Sequence, residues 1–258
     1  MRTVTSRDGT VISYERSGDG APVIVVGGAT ADHRGAAPLA AALPAHLSAV
    51  TYDRRGRGDS GDTLPYAVER EIEDLDALIA DVGGTAFVFG ESSGAVLALK
   101  AAASGLAISK VAAFEPPFRV GDGPPIRADY LDKLTELTSS GRRSEAVELF
   151  LTDAVGLPDE AVAPLRTSPM WPGLEAIAHT LVYDATIMGD GSLPADWLRK
   201  VTTPVLVLES AGSPQWLRQA AAVTAGTIPH ATDRTLDGTF HDAPPERIAS
   251  VLATFYAG

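Results

Sequence analysis

Apolar residues along the chain fall into two patterns. Short unbroken runs, Val23-Ile24-Val25-Val26, Ala86-Phe87-Val88-Phe89, Val111-Ala112-Ala113-Phe114 and Val205-Leu206-Val207-Leu208, predict strands buried on both faces, as in a parallel sheet. Ser48 to Tyr52 and Thr232 to Leu236 read as further strands. The second pattern is helical. Val68, Ile72, Leu75, Ile79 and Val82 recur at helical spacing between acids and Arg70, and Ile248, Val251, Leu252 and Phe255 share one side of the segment from Pro245 to Tyr256. A further helix is expected around Gly35 to Leu43. At the start, Val4-Thr5 and Val11 to Glu15 flank Asp8-Gly9, a dipeptide suited to the positive φ of a hairpin turn. Alternating strands and helices predict an α/β fold, with a mostly parallel central sheet covered on both faces.

The alternation lapses from Arg119 to about Thr203. Helical stretches near Asp129 to Thr138, Glu145 to Val155 and Gly173 to Ala185 are separated there by Gly or Pro, with no convincing strand. The expected organisation is therefore a core formed by residues 1–118 and 204–258, interrupted by a helical cap at 119–203. The cap carries Tyr130, Phe150, Met170, Trp171, Tyr183, Met188 and Trp197, most of them expected in its own core. Met170-Trp171-Pro172 stands in a loop context and is expected to line an apolar substrate pocket.

Candidate chemistry centres on Gly90-Glu91-Ser92-Ser93-Gly94, between the strand ending at Phe89 and an Ala/Leu-rich segment that reads as a helix. Gly90 and Gly94 lack the Cβ atoms that would clash where strand and helix cross. Ser92 is thereby placed at the apex of a strained turn, its hydroxyl exposed beside helix-opening amides. The alternative is a serine that merely caps the helix. A nucleophilic serine needs a base, and histidines stand at 33, 46, 179, 230 and 241. His241, in Asp237-Gly238-Thr239-Phe240-His241-Asp242, lies in the loop after the last strand, at the carboxyl edge of the sheet that also holds Ser92. His241 is the preferred base; His33 and His179 are positioned to touch substrate but read better as surface residues. Small residues Gly27 and Gly28 let backbone approach a ligand closely. In the loop from Asp53 to Asp62, arginines and aspartates are expected to neutralise one another.

Composition removes several classes. The 21 Lys and Arg against 33 Asp and Glu give a net charge of −12, which repels a phosphate backbone and argues against nucleic acid as a partner. Without cysteine there is no disulfide, thiolate nucleophile or cysteine-ligated metal. No apolar run approaches the roughly 18 residues of a membrane span or forms a signal-peptide core, so a cytoplasmic protein is expected. The partner in view is a small-molecule substrate, with no metal or organic cofactor implied and the oligomeric state open.

Taken together, these motifs resemble the α/β-hydrolase fold superfamily, in its capped serine-hydrolase form, over nearly the whole chain. Gly90-Glu91-Ser92-Ser93-Gly94 is similar to the family's nucleophile elbow, Asp53-Arg54-Arg55-Gly56-Arg57-Gly58-Asp59-Ser60 to its loop after the preceding strand, and Gly238-Thr239-Phe240-His241 to its histidine loop. The family also contains thioesterases, lactonases, carbon–carbon hydrolases, haloperoxidases and lyases. A serine at the elbow, where dehalogenation and epoxide opening generally use aspartate, implies acyl transfer from an ester, lactone or thioester. Two departures stand out. The usual His-Gly is Gly27-Gly28 here, and the resemblance places the oxyanion donors at the backbone amides of Ala29 and Ser93. Ser213 occupies the position of the usual triad aspartate, so the acid falls to Glu115, as in a branch of the haloalkane dehalogenases, or to Glu209, or is absent. The alternative for Glu115 is to cap the entry to the insertion, while Glu91 is expected to bind a cationic group, tune His241 or pair with an arginine of the neighbouring loop.

Overall fold

Eight strands are described within residues 1–257 of the computed structural model. β1 (Arg2–Thr5) and β2 (Val11–Ser17) pair antiparallel across the Asp8-Gly9 turn, where Gly9 has φ 89°, and β2 pairs antiparallel with β4 (Leu47–Tyr52). Beyond β4 the sheet is parallel, running through β3 (Ala21–Val26), β5 (Ala86–Glu91), β6 (Ile108–Phe114), β7 (Val205–Ser210) and β8 (Ala231–Leu236).

Parallel neighbours need long crossovers, and the helices that supply them cover both faces. Alternation along β3 divides its side chains between two cores. Ile24 and Val26 point to one face with Val50, Val88, Val111 and Val207, beneath α2 (Val68–Val82) and α3 (Ser93–Ala103). Val23 and Val25 point to the other with Phe89, Leu206 and Leu208, beneath α1 (Ala37–Ala42) and α11 (Pro245–Ala257). Each fully buried aliphatic side chain contributes about 1.5–3 kcal/mol, which is why the central strands read as unbroken apolar runs.

Between β6 and β7 the described residues form helices and no strand: α4 (Tyr130–Ser139), α5 (Arg143–Leu149), a π-helical turn (Phe150–Val155), α6 (Asp159–Leu165), α7 (Trp171–Ala176), α8 (Leu181–Met188) and α9 (Ala195–Leu198). They surround a third apolar cluster that includes Leu134, Leu137, Val147, Trp171 and Leu181. The single helix expected over Gly173 to Ala185 is two, divided by a 3₁₀ turn at Ala178–Thr180. No described helix is long and apolar enough to cross a membrane.

Two findings go beyond the sequence pattern. The crossover from β7 to β8 is a full helix, α10 (Gln215–Thr227), whose buried side is Leu217, Ala220, Ala221, Thr224 and Ala225; alanines give such a face little hydrophobic contrast. The loop after β4 also does not neutralise itself. Arg54, Arg55 and Arg57 are all buried, and their carboxylates come from elsewhere. Glu71 of α2 grips Arg54, Asp74 of α2 and Asp8 grip Arg55, and Asp184 of α8 takes both Arg54 and Arg57.

Candidate active site

The turn from β5 into α3 is as tight as its glycines require. A Cβ on Gly90 would stand 2.4 Å from the Gly94 carbonyl oxygen, and one on Gly94 would stand 2.3 Å from that of Val26. Ser92 between them adopts φ 54° and ψ −123°, and its amide donates to the Phe114 carbonyl at 2.9 Å. Its side chain makes no capping hydrogen bond to α3, which removes the capping alternative. Among the described residues, four other than glycine have positive φ: Thr30, Ser92, Glu115 and His241. Such conformations cost about 1–3 kcal/mol each and persist where surroundings enforce them, characteristically at functional sites.

Glu115 lies just beyond β6, fully buried, and reaches across the end of β7. One carboxylate oxygen accepts the Ser210 amide at 2.8 Å and the Ser213 hydroxyl; the other accepts the His241 amide at 2.8 Å. Ser213, at the position of the expected aspartate, thus serves as a donor to Glu115. The ring Nδ1 of His241 is 2.9 Å from Glu115 Oε2. Burial alone would raise the Glu115 carboxyl, but hydrogen bonds from His241, Ser213 and Ser210 outweigh it and hold the group below the usual glutamate range. Glu209 turns instead to the Thr235 hydroxyl at 2.8 Å. His33 pairs with Asp53 and His179 faces Asp62, and neither lines the cavity that holds Ser92.

That cavity, about 270 Å³, brings Ser92 and His241 together with Gly28, Ala29 and Ser93. A Cβ on Gly28 would meet Ser92 Cβ and the Glu91 carbonyl at 3.1 Å, so this loop lies directly against the elbow. The Gly28 carbonyl accepts Arg57 Nη1 at 2.7 Å; in a planar trans peptide the Ala29 N–H then points away from Arg57. Neither the Ala29 nor the Ser93 amide is consumed by the turn hydrogen bonds of the described residues.

The apolar walls come from Ile126, Tyr130, Phe150, Leu151, Met188 and Phe240. Met170 and Trp171 are not among them, which corrects the expectation for that loop. Trp171 is 4% exposed, inside the cap core with Nε1 donating to Ser144 Oγ at 2.8 Å, whereas Met170 is 63% exposed on the outer surface. Trp171 opens α7 rather than standing in a loop, and local spacing does not say which side of the cap helices buries it.

A family model described as the alpha/beta hydrolase family matches residues 23–251. The chain belongs to the alpha/beta hydrolase family. Among solved structures, an alpha/beta hydrolase from Sphaerobacter thermophilus DSM 20745 is 52% identical, with 99% of this chain and 100% of that one covered and a TM-score of 0.93. The esterase from Exiguobacterium antarcticum (22% identity, 99% of each chain, TM-score 0.76) and the enol-lactonase from Burkholderia xenovorans LB400 (19% identity, 100% of each chain, TM-score 0.71) share the fold. Comparison with curated proteins finds no significant match.

In this alpha/beta hydrolase two acids at the site take unforeseen places. Asp184, buried in the otherwise apolar α8, accepts Ser93 Oγ at 2.7 Å as well as Arg54 and Arg57. The cap is thereby tied to the residue after the elbow serine and, through Arg57, to the Gly28 carbonyl. Burial works against the Asp184 carboxylate, but the two guanidinium groups prevail and lower its pKa. A lone acid in an apolar helix was the only sequence signal for it. Glu91 makes no salt bridge with any described arginine, against one of the expectations for it. It lines the Ser92 cavity and a second one behind His241, and burial, only partly opposed by His241, pushes its carboxyl up.

Proposed function

We propose that this alpha/beta hydrolase cleaves an ester, lactone or thioester of a small to medium, largely apolar substrate through an acyl-enzyme. The carrying observation is the strained Ser92 opening into the same cavity as His241, with the buried Glu115 carboxylate 2.9 Å behind the imidazole. Ser92 Oγ attacks the carbonyl carbon as His241 Nε2 takes its proton. Glu115 stabilises the imidazolium, and the amides of Ala29 and Ser93 stabilise the oxyanion. His241 returns the proton to the departing alcohol or thiol, then activates the water that releases the acid. The names of two structural neighbours, an esterase and an enol-lactonase, agree with this chemistry. The mechanism requires neither metal nor organic cofactor.

Treatment with a serine-directed fluorophosphonate, followed by intact mass, tests the reading. Rapid single labelling of the parent and none of Ser92→Ala is expected. A folded parent that stays unlabelled and shows no burst with activated esters would refute the acyl-enzyme and leave a cofactor-free lyase, cyclase or carbon–carbon hydrolase on the same scaffold.

A further inference from the structure

The cavity wall contains one cation without a counter-ion. Arg119 opens the cap insertion, with its backbone held by a 2.7 Å bond from its amide to the Gly191 carbonyl and by a bridge to Ser192. Its guanidinium lies over the Trp216 ring at 4.1 Å, and Nη2 donates to the Ala154 carbonyl in the π-helical turn. Nε and Nη1 are shielded from water and have no acceptor. The contrast with the other buried arginines is direct: Arg54, Arg55 and Arg57 each hold at least one carboxylate, while Arg119 holds none among the described residues, in a chain with 33 acids. An aromatic face and one carbonyl orient a guanidinium but do not neutralise it. Burial accordingly pushes its pKa down, with the Tyr130 hydroxyl the only group acting the other way.

Tyr130 lines the same cavity and is 5% exposed. The remaining charges of the cavity are disposed about this pair. Asp184 is consumed by Arg54, Arg57 and Ser93, and His241 faces Glu115. Glu91, the free acid, lies beside Ser92 and His241.

We propose that the substrate bears a carboxylate remote from the scissile carbonyl, and that Arg119, assisted by the Tyr130 hydroxyl, receives it at the cap end of the cavity. The inference rests on the hydrolytic reading above and names the substrate class for that site. A single unpaired guanidinium on a largely apolar cavity wall suits a singly charged carboxylate better than a dianionic phosphate. Arg119 is only partly buried as a whole, so a small shift of its long stem brings the unused donors to the ligand. Glu91 sets the orientation: a substrate entering carboxylate-first toward His241 meets a second acid, while one with its carboxylate toward the cap does not. The new carboxylate formed by hydrolysis arises beside Glu91, which favours release of the product.

The test compares kcat/KM for mono-4-nitrophenyl glutarate and for neutral 4-nitrophenyl pentanoate, using the full chain and its Arg119→Met and Arg119→Lys variants. The parent is expected to prefer the charged ester about tenfold or more; the ratio should collapse in Arg119→Met, mainly through KM, and recover in part in Arg119→Lys. Arg119→Met acting merely on structure would lower both substrates together and leave the ratio unmoved, which overturns the proposal, as does a parent that prefers the neutral ester. Calorimetric titration of glutarate into Ser92→Ala separates the two readings. Binding that weakens about tenfold or more in Ser92→Ala/Arg119→Met supports the carboxylate site even if the parent fails to form an acyl-enzyme, and equal binding to both refutes it.

Discussion

Replacing Asp184 by Asn tests whether the cap is held to the core by its ion cluster. The carboxylate is 4% exposed and accepts Arg54 Nη1 at 2.7 Å, Arg57 Nη2 at 2.6 Å and Ser93 Oγ at 2.7 Å. Asparagine preserves the volume and one acceptor but removes the charge. Arg54 keeps both Glu71 contacts, at 2.7 and 2.8 Å. Arg57 keeps only neutral acceptors, the carbonyls of Gly28 and Ala31 and the Thr180 hydroxyl, and becomes a buried charge without a counter-ion. Removing one partner of a buried pair costs about 3–5 kcal/mol, and because the isostere retains an acceptor we expect about 3 kcal/mol. Against a total stability of about 5–15 kcal/mol that is a large fraction, equivalent to a fall in Tm of about 6–12 °C. Urea unfolding followed by circular dichroism should show a lower midpoint with an unchanged slope. The double variant Asp184→Asn/Arg57→Met should recover much of the loss, since it leaves no charge stranded. A single variant within about 0.5 kcal/mol of the parent, or a double variant whose cost is the plain sum of the two, would refute the assignment.

Three further outcomes follow from the same geometry. Glu115→Gln should slow fluorophosphonate labelling by about 10²–10⁴-fold while leaving Ser92 the labelled residue, read by the rate of mass increase; an unchanged rate would remove Glu115 from the mechanism. Because the folded Glu115 carboxyl lies below its ordinary 4.5, its stabilisation is complete above that pH and disappears as pH falls through the lower folded value; unfolding free energies measured from pH 6 downward should lose less in Glu115→Gln than in the parent. Ser92→Gly should abolish labelling yet raise stability by about 1 kcal/mol, since glycine adopts φ 54° without strain, and a destabilised glycine variant would show that the turn stores no strain.

The sequence by itself determined what depends on near neighbours in the chain. Period-2 burial on two faces made the central strands unbroken apolar runs. The glycines at 90 and 94 are dictated by close backbone approach at the turn, and Glu115 directly follows β6 while His241 lies in the loop after β8, strands whose positions follow from the same periodicity. Tertiary structure decided everything that turned on which distant group fills a remaining valence. Arg54 and Arg57 met their shared acid 130 and 127 residues away, and Glu209 turned to the Thr235 hydroxyl while Ser210 and Ser213 donate to Glu115. Trp171 went into the cap core while Phe150 and Met188 went to the cavity. The physical reason is common to these cases. Local spacing reports how much of a side chain leaves water, whereas the partner of a charge, or the side of a helix layer on which an aromatic ring is buried, is chosen by packing between segments far apart in the chain.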